Sequence, residues 1–320
     1  MSLTKVHRSW LCLLFLAFLL ALVMASCNKQ QQPAETKAPA GPETFATPDD
    51  AAKALVDAAK ADNRDAMLGI FGPGSKDVIY SGDAAADKDS FARFASDYGA
   101  MHRWRKLENG SELLVTGTYN KVFPIPLKKN EAAKWYFDTE AGKQELLSRR
   151  IGRNELAAID VLATVATAQF EYFAQRHDSV QQFAQKFISD EGKENGLYWP
   201  PVQGQPRSPL GPLVAFATVE GYKLKPDSHV PFHGYYFQML DRQGPDAKGG
   251  PKNYIVNGKL TGGFGVLAYP AQYGDSGLMT FMINQNGKIF ERDLGTATHD
   301  APGTVVAFNP GEGWRAAELR

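Results

Sequence analysis

The chain has 320 residues and 43% hydrophobic content, long and apolar enough to build two domains with real cores. Thirty-five basic residues balance thirty-five acidic ones. Beyond residue 26 the count is 33 against 35, which argues against charge-driven binding to nucleic acid or to an anionic membrane face.

In chain order the first element is a leader. Lys5 and Arg8 form a positive start, Trp10 to Met24 is an apolar run, and the small Ala25 and Ser26 precede Cys27. A membrane span needs about twenty apolar residues, so this shorter run reads as a secretory leader, residues 1–26. "MASC" resembles the lipobox of bacterial lipoproteins, although Met24 stands where Leu is usual. That resemblance implies that Cys27 becomes the lipid-modified N-terminus, with enough acyl chains for stable anchoring. Asn28 in place of an aspartate favours the outer membrane. The plainer alternative is an ordinary leader with an incidental cysteine. Only Cys12 and Cys27 occur, so the rest of the chain has no disulfide, thiolate catalyst or cysteine metal site. Residues 27–44, rich in Gln, Pro, Ala and Lys, read as a flexible tether.

Folding is expected from residue 45, in two domains, 45–150 and 151–320. Thr47 is placed as an N-cap with Pro48 at the first helical position. Ala52, Leu55, Val56 and Ala59 then repeat at helical spacing. A short helix carrying Met67, Leu68 and Phe71 should end at Gly72, and Phe91, Phe94, Ala95 and Tyr98 mark a third. Strands are expected in "SELLVTGTY", "KVFPIPLKK" and "AKWYFDT", with Pro124 and Pro126 at an edge or with their missing donors outward.

The stretch 139–177 predicts the longest helix. Its apolar stripe is expected at Leu156, Ile159, Ala163, Ala166, Phe170 and Phe173, with a break or kink at Gly152. A Pro- and Gly-rich irregular region and a brief helix around Leu213 to Glu220 follow. The tail reads as a strand, "HGYYFQML", and two hairpins that turn at Asn257-Gly258 and Asn286-Gly287. The fold class is therefore α+β, with helices and antiparallel sheet in each domain.

Blocks such as "RRIGRNELAAI", "HGYYFQML" and "YIVNGKLTGGFGVLAYPAQYGDSGLMTFMINQNGKIFERDLG", with "FPIPL" and "WYFDTEAGKQELL", resemble the bacterial domain-of-unknown-function family DUF2950. That resemblance implies an exported envelope protein. The element order of residues 45–139 is similar to the cone of nuclear transport factor 2-like domains. Asn154, Glu155, Ala158, Ile159, Ala168 and Tyr172 before "GYYF" resemble the order in type IV pilin-like heads. Because a whole domain precedes that helix, the second likeness implies a pilin-like fold without filament assembly.

Asp227, His229 and His233 are spaced for one strand face and for zinc, but Pro231 interrupts them and no second ligand cluster follows, so a surface loop is the reading. "GPGSK" lacks the spacing of a phosphate loop and reads as a helix end. "GGFG" lacks the dinucleotide fingerprint and reads as close packing or a bulge. "GDSG" around Ser276 superficially matches a chymotrypsin-type nucleophile, with His102 or His233 as base, but reads as a turn. No catalytic, cofactor or metal residue is assigned; Cys27 is assigned to lipidation. The expectation is a periplasm-facing envelope lipoprotein that binds a protein, glycan or small ligand without turnover. The alternative is a periplasmic hydrolase or metal-dependent enzyme. The state of the first domain's interior discriminates: an open, mixed-polarity cavity favours ligand binding, and a filled one favours a scaffold.

Overall fold

The computed structural model describes residues 41–318 apart from 176, 178, 205, 224 and 226–228; the leader, Cys27 and Asp227 lie outside the described residues. From Gly41 the chain forms one compact α+β unit of helices and antiparallel sheets.

Helix α1 (Pro48–Lys60) starts as its sequence dictates. The Asp50 amide donates to the Thr47 hydroxyl and the Thr47 amide donates to the Asp50 carboxylate, each at 3.1 Å, a reciprocal capping box. Helix α2 (Arg64–Phe71) stops at Gly72, whose φ of +81° suits glycine. "GPGSK" is thus a helix terminus, in which the Ser75 hydroxyl donates to the Gly72 carbonyl at 2.6 Å. A single turn, α3 (Lys76–Ile79), leads to α4 (Ala84–Ala100).

The first sheet contains β1 (His102–Lys106), β2 (Glu112–Thr116), β3 (Lys121–Val122), β4 (Leu127–Lys129) and β5 (Trp135–Phe137). Its order is β1-β2-β4-β5, with β3 also on β2. Strand β1 escapes sequence reading because "HRWRK" has no apolar alternation and none of it is fully buried. The expected strand "KVFPIPLKK" is split. Pro124 and Pro126, which have no N–H to donate, occupy a break between β3 and β4 and belong to neither.

Helix α5 (Thr139–Ala174) runs unbroken for 36 residues, so the break expected at Gly152 does not occur. Its buried stripe overlaps the expected one only in part: Ile159 and Ala166 are buried as expected, and Phe173 packs partly against the core. Ala158, Leu162, Val165, Gln169 and Tyr172 face the core, while Leu156 and Phe170 are 53% and 48% exposed. The reason is Gln169. Its buried amide donates to the Ala184 carbonyl at 2.9 Å and accepts from the Ala184 amide at 2.8 Å, so a polar residue sits on the core stripe. Half of the most apolar window of α5 is buried inside the fold, although by length and composition this helix passes as a membrane span.

After α6 (Gly211–Val219) comes the second sheet, built from β6 (Tyr235–Leu240), β11 (Gly265–Pro270), β12 (Met279–Asn284), β13 (Phe290–Asp293) and β14 (Arg315–Ala316). Its order is β14-β13-β12-β11-β6. Two ribbons intervene: β7 (Arg242–Gln243) with β8 (Lys252–Asn253), and β9 (Ile255–Val256) with β10 (Lys259–Leu260). Asn257 and Gly258 turn β9 into β10 with φ of +52° and +76°, the expected type I′ geometry. The expected turn at Asn286-Gly287 is looser. There Met282 pairs with Phe290, and an Asn284 side chain that accepts from the Asn286 amide organises a longer loop.

Strand β11 is buried on both faces. Val266 and Ala268 meet the α5 core with Phe281 and Ile283 of β12. Leu267 and Tyr269 meet Met282, Phe308 and Ala301 of α7 (Ala301–Thr304). Tyr235 and Tyr236 likewise divide between the two faces, and Trp199 is core.

Candidate functional site

The helices α1, α2 and α4, the end of β3 and the first half of α5 enclose a cavity of about 580 Å³. Small-molecule sites commonly span ~300–1,000 Å³. Its inner surface is apolar: Leu55, Met67, Ile79 and the rings of Phe71, Phe94 and Phe123 line it. Phe123 sits 5.3 Å from Phe94 and 6.3 Å from Phe71, centroid to centroid, so the rings form a continuous wall.

The rest of the lining is charged. Arg149, Arg150 and Arg153 reach the cavity from α5 and Arg93 reaches it from α4. Spacings of three and four place Arg153 over both of its neighbours on one helix face, where each like-charge pair costs ~0.2–0.5 kcal/mol. Three of the four arginines are occupied. Arg93 is ion-paired with Asp89. Arg149 donates to the Glu145 carboxylate at 2.7 Å and to the Val122 carbonyl at 2.8 Å. Arg150 donates to the Asp77 and Val78 carbonyls, both at 2.7 Å. Among the described residues nothing accepts a hydrogen bond from Arg153. Burial of its guanidinium lowers its pKa from the ordinary arginine value, although the residue as a whole keeps solvent contact; the charges of Arg93, Arg150 and Arg149 act in the same direction. An arginine nonetheless stays charged.

Glu220, Tyr222 and His233 line one side and join a buried network. The Asp83 carboxylate caps α4 by accepting from the Ala85 and Ala86 amides at 3.1 and 3.0 Å. Its other oxygen accepts from the Tyr222 hydroxyl and the Gly234 amide, both at 2.8 Å. Burial and then the Asp83 charge push the Tyr222 hydroxyl far above the ordinary phenol range, so it remains the donor. Tyr222 accepts in turn from the His233 amide at 3.1 Å. His233 and Gly234 form a two-residue turn with φ of +49° and +76°, and the imidazole Nε2 lies 3.2 Å from Glu220 Oε2. Glu220, Tyr222 and His233 all line the cavity.

Over residues 42–317 the sequence matches the family described as "Protein of unknown function (DUF2950)". The chain belongs to the DUF2950 family. No curated protein and no solved structure gives a significant match.

In this DUF2950 chain the residues with candidate chemistry are not joined into one hydrogen-bonded set. The Ser276 hydroxyl is fully buried; it donates to the Gln272 carbonyl at 3.0 Å and accepts from the Gln272 amide at 2.9 Å. Neither His102 nor His233 is its partner: His102 stacks on Tyr98 and His233 faces Glu220. His229 stacks on Tyr236 at 4.1 Å and is not joined to His233, and Asp227 lies outside the described residues. Among the described residues no group of three His, Cys, Asp or Glu is placed to hold a metal ion. "GGFG" is a close-packing site, where a Cβ on Gly262 would meet the Asn253 carbonyl at 2.9 Å. The sequence reading missed the arginine arc. Its signal was "RRIGR", with basic residues at i, i+1 and i+4 of a helix, which reads as a solvated face until a cavity is known beneath it.

Proposed function

We propose that this DUF2950 chain is an envelope lipoprotein, anchored through a lipid-modified Cys27 on the periplasmic side of the outer membrane, whose body binds a small ligand without turnover. The observation that carries the binding reading is the open cavity, apolar within and charged at its rim. A scaffold needs no such space, and an interior normally closes on itself. The leader, the lipobox-like "MASC" and the tether support the location. The division into a cone-like part, 45–150, and a pilin-head-like part, 151–320, rests on the order of helices and sheets. The test is mass spectrometry of small molecules released from protein purified out of envelopes, with Ala86→Trp, on the cavity wall, as the blocked variant. A ligand present in the wild type and lost in the variant supports the reading; identical extracts refute it. Cys27→Ala should abolish incorporation of labelled palmitate. Capture of an envelope protein or glycan with no small ligand would favour a docking module instead.

One observation favours the enzymatic alternative. Glu220 and His233 form a carboxylate–imidazole pair on the cavity wall, and His233 holds a left-handed backbone that histidine adopts only occasionally. His233→Asn preserves that turn and removes the imidazole. Hydrolysis of generic ester substrates that is lost in this variant would support catalysis.

A further inference from the structure

The cavity's charges do not cancel locally. Lys121 is matched by Asp97 at 2.9 Å, Arg93 by Asp89 and Arg149 by Glu145. Arg150 is held by two carbonyls; burial lowers its pKa from the ordinary arginine value, and the carboxylates of Asp87, Asp275 and Asp77 oppose that shift. Asp87 is itself tied to Arg64 at 3.1 Å and to the Ser81 hydroxyl at 2.6 Å. Arg153 alone of these cations has no counter-charge among the described residues, and it lines the same cavity as Phe71, Phe94 and Phe123 from an exposed helix position. A planar guanidinium fork matches a carboxylate or phosphate with paired hydrogen bonds. A neutral occupant would cover Arg153 without satisfying it.

Resting on the ligand-binding reading above, we propose that the cavity takes an amphipathic anion: a carboxylate or phosphate head held by Arg153, and an aliphatic or aromatic body laid against the phenylalanine wall. The arrangement accounts for two features at once, the stacking of like charges along α5 and the aromatic lining beneath them. It also assigns the two ends of the ligand. The head stays at the mouth, within reach of Arg93 and Arg149, and the body points toward Leu55 and Met67.

The experiment is calorimetric titration of the full chain in phosphatidylcholine nanodiscs, with empty nanodiscs as blank, using octanoate, octyl phosphate and octanol. At least one anion should bind about ten-fold or more tightly than octanol, the size expected when a charged hydrogen-bonded pair is added. Whichever of octanoate and octyl phosphate binds more tightly identifies the head group. Arg153→Gln should remove that advantage and leave octanol unchanged, while Arg153→Lys keeps part of it. Both substitutions lie on an exposed helix position; Arg153→Lys should leave the thermal midpoint in place, and Arg153→Gln, which relieves two like-charge pairs, should not lower it. Equal binding of octanol and the anions, or an anion affinity unmoved by Arg153→Gln, overturns the anion proposal and leaves the cavity-binding reading intact. No binding of any of the three, in wild type and in Ala86→Trp alike, overturns both.

Discussion

Two glycines on α5 give the sharpest test of this fold, because the same substitution should act with opposite sign at each. Gly152 has nothing within 4 Å of where a Cβ would sit, and its backbone is ordinary helix. Alanine there removes the conformational freedom of glycine in the unfolded chain and should stabilise by ~0.5–1 kcal/mol. At Gly142 the same intrinsic gain applies, but a Cβ would lie 2.4 Å from Ile125 Cα and from the Pro124 carbonyl oxygen, and 2.7 Å from the Ile125 amide nitrogen. All three are backbone atoms and cannot swing aside. Overpacking of this kind costs ~1–3 kcal/mol, and rigid neighbours place it at the upper end. The intrinsic gain of ~1 kcal/mol then leaves Gly142→Ala destabilised by ~2 kcal/mol. For a chain of this size each kcal/mol moves the midpoint by ~2–4 °C. Thermal unfolding followed by far-ultraviolet circular dichroism should show Gly152→Ala rising by ~1–4 °C and Gly142→Ala falling by ~4–8 °C. A rise in both would mean that α5 does not press on the 123–126 break, and the cavity wall at Phe123 would lose its support.

Asp83→Ala strips a helix cap and two further buried donors, so it should destabilise by ~3–5 kcal/mol in urea unfolding, while Asp83→Asn, which keeps one acceptor, should cost ~1–3 kcal/mol; a loss under ~1 kcal/mol for the alanine variant would refute the network. Gln169→Leu leaves the buried amide and carbonyl of Ala184 unpaired and should cost ~2–4 kcal/mol despite its greater hydrophobicity. The Asp190 carboxyl should titrate at about 2 by nuclear magnetic resonance, because Lys186 and then Asn195 donate to its carboxylate. Its pKa is depressed in the fold, so its stabilising contribution is present above the ordinary carboxylate value and is lost as pH falls toward 2. An ordinary midpoint would mean those donors are disengaged in solution. Thr47→Ala should cost ~1 kcal/mol through loss of the capping box, read as a lower urea midpoint.

What sequence made visible was local chemistry with a local cause. Thr47 with Pro48 and Asp50, Gly72 after Phe71, and Asn257-Gly258 each specify their own backbone, and each is found where its residues require. Features decided by distant partners were hidden. The stripe on α5 is legible at Ile159 and Ala166 but not at Gln169, which looks solvent-facing until Ala184 supplies its two partners. Strand β1 was overlooked because an exposed strand of "HRWRK" needs no apolar alternation. The cavity was invisible for the same reason on a larger scale. Its lining comes from residues 55–97, 116–124, 146–154 and 220–233, and no single stretch shows that their side chains leave a space.

The uninterrupted course of α5 has a mechanical meaning. A rod of about 54 Å at 1.5 Å per residue starts beside the phenylalanine wall and finishes under the second sheet, with no joint between. If a ligand engages Arg153, its load falls on the same continuous helix whose far end packs in one core with Tyr235 and Phe264.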